Sequence, residues 1–355
     1  MFESWIREFD QKEQPPGRLI FVRLRSLGDA VLMTPVLAVV KRVPGWQVAV
    51  VIESAYRQVL DKNPHIDRLI VIEDQSNKSI ARLRAIQEIR SFQPTMAIDL
   101  HGGTTSALLT ALSGAPKRVG YRASRCSFLY NIKIHESGRL WNRQPIHTVE
   151  HQLSSLKQLG FPVEPVPLPL ITVQSEDVQI VRDLLTQQGR SAQEINKGFI
   201  LIHPAAAFDT KQWDAEKFAA LADRLVDAGR RVILTAGPGE ESLLSTLKTL
   251  CSSEIGFVNS LSIRHFAALV SLATLYVGND TGPTHIAAAL QKKVVVIFGS
   301  SDYKVWHPWG VEHRLIRSDL PCMPCPGYFC LHFDEPRCIR SIEVDPVFQA
   351  VQSIL

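Results

Sequence analysis

Residues 278–290, "GNDTGPTHIAAAL", place an Asp, a Thr, a Gly and a His where an apolar run turns into an Ala-rich helical pattern. Any polar linker could turn that corner, so the residue types carry information. Gly282 and the small hydroxyl of Thr281 let a ligand approach the backbone, and the free N–H groups of a helix start form an anion site. Asp280 at the turn and His285, one helical turn after Thr281, complete the set. Taken singly, Asp280 reads equally as a turn or cap residue, and His285 as a packed, hydrogen-bonded side chain. Lys211 in "HPAAAFDTKQW" (203–213) is a cation after another strand, suited to a phosphate, although a solvated surface lysine has the same signature. Glu240, with Glu241 beside it, follows "VILTAG" and suits hydrogen bonds from a ribose. No G-x-x-x-x-G-K-[ST] run occurs, "GPGEES" leaves the dinucleotide glycine pattern at its last position, and no D-x-D pair is present. A bound pyrophosphate must then be met by backbone amides, a helix start and a lysine.

These residues sit at the ends of strand-type runs. Runs at 18–24, 47–52, 68–72, 95–100 and 117–121 alternate with helical or loop stretches, the first of them "GDAVLMTPVLAVVKRV". A helix-like stretch at 147–160 leads to the Pro-rich "FPVEPVPLPL" (161–170), the natural linker. The alternation then restarts: strand 198–203, helix 214–228 closed by Gly229, strand 230–237, helix 240–251, strand "IGFVN", a helix begun by Ser262, strand "LYVG", the helix of 278–290 and strand 293–299. Two doubly wound parallel-sheet, Rossmann-like α/β domains are expected, 1–165 and 166–355, and 355 residues is ample for two cores. Ligands of such sheets bind at the carboxyl ends of the strands, which places the site in a cleft faced by both domains. "RSLGDA" (25–30), with Gly28 and Asp29, is the first domain's contribution.

Composition narrows the classes. The chain is 45% hydrophobic and 21% charged with a net charge of +4, too weakly basic to argue for nucleic acid. "MFESWIREFDQKEQPPG" mixes acids among its apolar residues, so no signal peptide is expected, and no run approaches the roughly 20 apolar residues of a membrane span. A cytoplasmic protein is expected. "FESWIREF" reads as a solvent-facing helix, with a membrane or subunit contact as the alternative.

The motifs "VRLRSLGDAVLMTPVL", "DLHGGTTSALL", "KRVGYR", "HPAAAFDTKQW" and "GNDTGPTHIAAAL" follow one another as in the ADP-heptose:lipopolysaccharide heptosyltransferases, glycosyltransferase family 9, which the chain resembles over roughly 18–300. The resemblance implies a GT-B fold and an inverting transfer from ADP-heptose, with no cofactor needed for catalysis. It matches Asp29 to the general base, Lys211 to the diphosphate-binding lysine, and Asp280, Thr281, Gly282 and His285 to the donor loop. One departure stands out: "HPAAAFDTK" has alanines where several relatives place hydroxyls before the lysine. The chemistry of the residues agrees. An acceptor hydroxyl must lose its proton as it attacks the anomeric carbon, and a carboxylate at a helix start suits that task.

An anionic acceptor fits the segment 117–143, where Lys117, Arg118, Arg122, Arg125, Lys133, Arg139 and Arg143 face only Glu136. Gly28, Arg118, Arg122 and Arg125 are the candidate acceptor contacts; an ordinary solvated surface is the plainer reading of such a run. The resemblance points to the phosphorylated, Kdo-bearing inner core of lipopolysaccharide, met at the inner face of the inner membrane by peripheral contact. RNA is the competing partner, since aromatics interleave the basic residues, but nucleic acid is not expected. Cys322, Cys325, Cys330 and Cys338 form a C-x2-C-x4-C-x7-C pattern, with Pro321, Pro324 and Gly327 supplying turns. A structural zinc or iron–sulfur site and free thiols remain open, with disulfides the lesser reading in a reducing compartment. Cys126 and Cys251 read as unpaired. Two other functions stay open: a binding protein that keeps the cleft without turnover, and a nucleotide-sugar isomerase on the same layout.

Overall fold

A computed structural model describes residues 17–74, 78–325 and 328–355; the octapeptide at 2–9 and Gly327 lie outside the described residues. The chain divides into two compact units, one ending at Thr172 and the other beginning at Val173. The Pro-rich stretch and the residues after it are tied to the first unit, which carries the division past the expected 165/166. Arg42 donates to the carbonyls of Pro162 (3.0 Å) and Pro165 (2.6 Å), Leu170 N donates to Thr34 Oγ1 at 2.9 Å, and Thr172 Oγ1 donates to Lys62 O at 3.0 Å.

The first unit holds six parallel strands, β1 (Gly17–Val22), β2 (Trp46–Glu53), β3 (Arg68–Ile72), β4 (Met96–Asp99), β5 (Lys117–Tyr121) and β6 (Ile132–Ile134), in the order β3-β2-β1-β4-β5-β6. Leu19, Ile20, Phe21 and Val22 are all fully buried, as expected of a strand covered on both faces. The helical run after β1 is two helices, α1 (Leu27–Leu32) and α2 (Thr34–Lys41). Pro35 stands in the first turn of α2, where its missing N–H costs nothing, and the chain breaks at Met33. Helix α3 (Lys78–Ser91) turns Ala81, Ala85 and Ile89 onto the sheet, and α4 (Thr104–Leu112) adds Leu109 to the same core. Helix α5 spans Thr148–Gln158.

The second unit repeats the plan with β7 (Ile200–His203), β8 (Val232–Ala236), β9 (Gly256–Asn259), β10 (Leu275–Asn279), β11 (Lys293–Phe298) and β12 (His313–Arg317), in the order β12-β11-β10-β7-β8-β9. Its longer helices are α6 (Ser175–Gln187), α7 (Ala215–Asp227), α8 (Glu241–Leu250), α9 (Ile263–Leu272), α10 (Gly282–Ala289) and α11 (Val344–Ile354). In α7, Phe218, Ala219, Leu221, Ala222 and Leu225 recur at helical spacing and are buried. Gly229 closes it with φ +76°: Arg230 N donates to Leu225 O (2.9 Å) and Gly229 N to Val226 O (2.8 Å), a turn that favours glycine. Ser262 caps α9, accepting from His265 N at 3.2 Å. The sequence reading has no counterpart for β6, β12, α6 or α11. The strands are short and lie at sheet edges, and "HRLIR" carries charge at both ends. Helix α6 is held by a two-pronged contact, Arg264 of α9 donating to both oxygens of Asp177 at 2.9–3.1 Å. Among the described residues, no helix is long and apolar enough to cross a membrane.

Candidate active site

In each sheet the strand order reverses once, between β1 and β4 in the first unit and between β7 and β10 in the second. Doubly wound sheets bind ligands at that point. Asp29, Lys211 and Asp280 lie at these two places, whereas Glu240 follows β8 and Arg118, Arg122 and Arg125 lie on or after β5.

In the second unit the chain leaves β10 through Asp280 into α10, whose N-cap is Thr281. The Asp280 carboxylate is 3% exposed and ion-paired with Lys211, Nζ to Oδ2 2.9 Å. Lys211 comes from the loop after β7, and residues far away in sequence fix it. Asn279 accepts from Trp213 N (3.3 Å) and donates to Pro204 O (2.6 Å), while Gln212 donates to the same carbonyl (2.6 Å) and accepts from Ala206 N (2.8 Å). After β11, Ser300 N donates to Thr210 O at 3.2 Å, and a Cβ on Gly299 would stand 1.9 Å from that oxygen. Only glycine fits there. The lysine therefore points along a braced loop toward the amide-rich start of α10. Thr284 Oγ1 donates to Asn279 O at 2.6 Å, locking the first turn, and His285 is buried with its ring 6.3 Å from that of Trp306.

Glu240 lies after β8. Its Oε2 accepts from Gly237 N at 2.7 Å and stands 3.7 Å from His203 Nε2. Burial lowers the pKa of His203, against the opposing pull of Glu240. Glu241 is tied locally, accepting from Ser260 Oγ at 2.7 Å, which lowers its pKa. Of the two acids, Glu240 is the one that faces the strand ends of this site.

In the first unit Asp29 sits in the first turn of α1. Ser26 Oγ donates to its Oδ2 at 3.0 Å, and its other oxygen pairs with Arg23. Arg23 is 9% exposed and also donates to Leu100 O, so the carboxylate is held by a cation that is itself anchored to the end of β4. Asp99 accepts from His101 N and Gly102 N, both at 2.8 Å, and from Tyr130 OH at 2.8 Å. His101 lies over this turn, its Nδ1 3.2 Å from Arg25 O, and burial followed by the Arg23 charge lowers its pKa. Burial pushes the Tyr121 phenol well up, and its ring stacks on that of His151 from α5 (centroids 4.6 Å apart), with Ser137 Oγ 2.7 Å from His151 Nδ1. From sequence, Tyr121 counts among the aromatics of the basic segment 117–143, with Phe128, Tyr130 and Trp141, whereas His101 of "DLHGG" carries no signal of its own. His151 had a faint signal, the pair His147 and His151 on one helix face.

Beside this turn opens a cavity of about 490 Å³. Arg25, Lys78, Arg82 and His101 line it with Glu53, Glu73, Asp74, Thr104 and Thr105, at the carboxyl ends of the strands. Gly28, Arg118, Arg122 and Arg125 are not in its wall. Arg118 donates instead to the carbonyls of Leu129 (3.1 Å) and Ala115 (3.4 Å), bracing the turn after β5, and Arg122 and Arg125 are exposed.

All four tail cysteines are free. Cys338 is buried, and its thiol is pushed up to about 11 by burial and then by Cys325, Cys330 and Cys322. The four therefore lie within electrostatic range of one another, yet among the described residues no three His, Cys, Asp or Glu side chains are gathered closely enough to hold a metal ion. Cys325 N donates to Ser300 O at 3.0 Å, the residue whose N–H braces the lysine loop.

Two parallel sheets of one order, each with charged loops at its reversal point, define a pair of doubly wound α/β units. Residues 82–332 match the profile of glycosyltransferase family 9 (heptosyltransferase), and the chain belongs to that family. It is 26% identical to lipopolysaccharide heptosyltransferase 3 of Escherichia coli strain K12 over 303 residues, 81% of this chain and 83% of that protein. A family 9 glycosyl transferase from Veillonella parvula DSM 2008 superposes with a TM-score of 0.81 at 19% identity, covering 97% of this chain and 98% of the other. ADP-heptose LPS heptosyltransferase II of E. coli gives 0.78 at 18% identity, covering 95% and 98%. The expected GT-B fold is thus the fold observed.

Proposed function

We propose that this glycosyltransferase moves a heptose from ADP-heptose to the inner core of lipopolysaccharide, with inversion and without a metal in the chemical step. The observation that carries the reading is the Lys211–Asp280 pair at the start of α10. Lys211 and the Thr281–Gly282 amides meet the diphosphate, and the second oxygen of Glu240 accepts from a ribose hydroxyl. Asp29 takes the proton of the acceptor hydroxyl as it attacks the anomeric carbon, and ADP leaves from the opposite face. Arg25, Lys78 and Arg82, which share the cavity wall with Glu53, Glu73 and Asp74, supply the cations for the carboxylates and phosphates of the acceptor. The enzyme works in the cytoplasm, in peripheral contact with the inner face of the inner membrane. The test is ADP release in EDTA from ADP-heptose with and without a Kdo-bearing acceptor. Release that depends on acceptor and needs no magnesium is expected. Acceptor-independent release marks a hydrolase and release only with magnesium overturns the metal-free step, while no release under any condition favours a binding protein.

The cysteine tail belongs to the same proposal as a structural element. Four thiols are a soft donor set of the kind zinc or iron takes, with Cys338 on its own short helix, and a metal would have to draw the other three toward it. Pure protein should carry close to one zinc, or iron, per chain, and chelation should loosen the tail while the sheets stay folded. Metal-free protein, prepared reduced and anaerobically, with an unchanged melting temperature contradicts it.

A further inference from the structure

The outward side of the first unit, away from its sheet, is unusual for a surface of helices. Leu83 of α3 is 60% exposed, Leu108 and Leu112 of α4 are 48% and 42% exposed, and Phe128, in the turn Ser127–Leu129 that packs against α4, is 76% exposed. An outer helix face normally carries polar and charged residues, yet α4, "TTSALLTAL", has no charge at all. The charges around this apolar strip are nearly all of one sign. Across α3, α4 and residues 122–130, the cations are Lys78, Arg82, Arg84, Arg90, Arg122 and Arg125, and the one acid is Glu88. Contiguous exposed apolar side chains mark an interaction surface.

We infer that the face formed by α3, α4 and the Phe128 turn docks on a bilayer surface bearing anionic headgroups. The inference rests on the peripheral membrane contact proposed above and adds the face that makes it. Exposed apolar side chains on elements that carry six cations and one acid match a lipid interface, where shallow insertion and attraction to anionic lipid act together. A protein partner of ordinary mixed charge would leave most of these cations without complement. The placement also serves the chemistry. Lys78 and Arg82 of α3 and Thr104 and Thr105 of α4 line the cavity, so helices lying on the membrane bring its wall to an acceptor whose lipid stays in the bilayer.

The experiment is sedimentation of the full chain with phosphatidylcholine vesicles, with and without phosphatidylglycerol, for the parent and for Leu83→Glu/Leu108→Glu. Both leucines are exposed, so the fold should survive; ADP binding and turnover on a water-soluble acceptor fragment, unchanged in the variant, verify this. The parent should bind the phosphatidylglycerol vesicles, release them at high salt, and bind phosphatidylcholine alone far less. The variant should bind at least about tenfold more weakly, through lost insertion and added negative charge. Equal binding by variant and parent overturns the assignment of the face and leaves the peripheral contact standing. A parent that binds neither vesicle overturns both. Equal binding to neutral and anionic vesicles overturns the anionic partner. Loss of self-association in the variant with unaltered vesicle binding assigns the face to a second copy of the chain.

Discussion

Asp29→Asn should lower turnover by about 10²–10⁴, the range for a positioned general base, while ADP affinity barely moves. The substitution keeps the side chain's size and its capacity to accept from Ser26 Oγ, which lies 3.0 Å from Oδ2. It removes the basicity, and with it the partner of Arg23. Since Arg23 is almost wholly buried, unit-one stability should also fall, and denaturant unfolding followed beside the kinetics separates the two effects. Donor affinity is the internal control, because every residue assigned to the donor lies beyond Val173, in a unit with its own core. A variant that keeps near-normal turnover with the authentic acceptor would falsify the assignment of the base to Asp29.

Lys211→Ala should have two separable consequences. The first is weaker ADP binding, by about 1.5–3 kcal/mol or roughly ten- to a hundredfold, the scale of a hydrogen bond to a charged group. The second is loss of stability, because Asp280 keeps a buried carboxylate without its cation. That loss should be near 3 kcal/mol, the low end for breaking a buried pair, since Lys211 is itself 23% exposed. Combining Lys211→Ala with Asp280→Asn removes the stranded charge. Stability should largely return and ADP affinity should not. If the double variant recovers ADP binding along with stability, Lys211 acts only as the counterion of Asp280, and the diphosphate is held by the helix start alone. Asp280→Asn alone should weaken the donor more than it slows the chemical step.

The residues that could be read directly were those following an unbroken apolar strand. Asp29, Lys211, Glu240 and Asp280 each come within a short loop of a strand end, and the doubly wound fold assigns such loops to ligands. What brings them into register was hidden. Gly299 and Ser300 brace the loop of Lys211 from some 90 residues away, and Arg23 reaches Asp29 while bonded to the end of β4. Such pairings exist only once the crossovers are made. The basic segment teaches the complementary lesson. Seven cations in a row of residues look alike in sequence, but the Arg118 guanidinium is occupied by two backbone carbonyls while Arg122 and Arg125 reach solvent. Charge count cannot say which guanidinium is already bonded. Of the cations that line the cavity, Arg25 opens the motif "RSLGDA", but Lys78 and Arg82 come from a helix whose mixed composition has no motif.

The two sheets are the same arrangement used twice. Counted within each unit, the strands run 3-2-1-4-5-6, with charged loops after the first and fourth strands in both. In one copy those addresses hold Asp29 with Arg23 and Asp99; in the other they hold Lys211 and Asp280. What the two halves share is thus a carboxylate paired with a cation at the reversal point of the sheet. Each address is carried by a separate core, so under the proposed roles the donor loops and the acceptor loops can be varied separately. Under the roles proposed above, changes in the loops after β7, β8 and β10 would bear on the sugar nucleotide, and changes after β1, β3 and β4 on the acceptor. A lineage with this layout can acquire a new acceptor by drift in one half while purifying selection keeps the donor half unchanged.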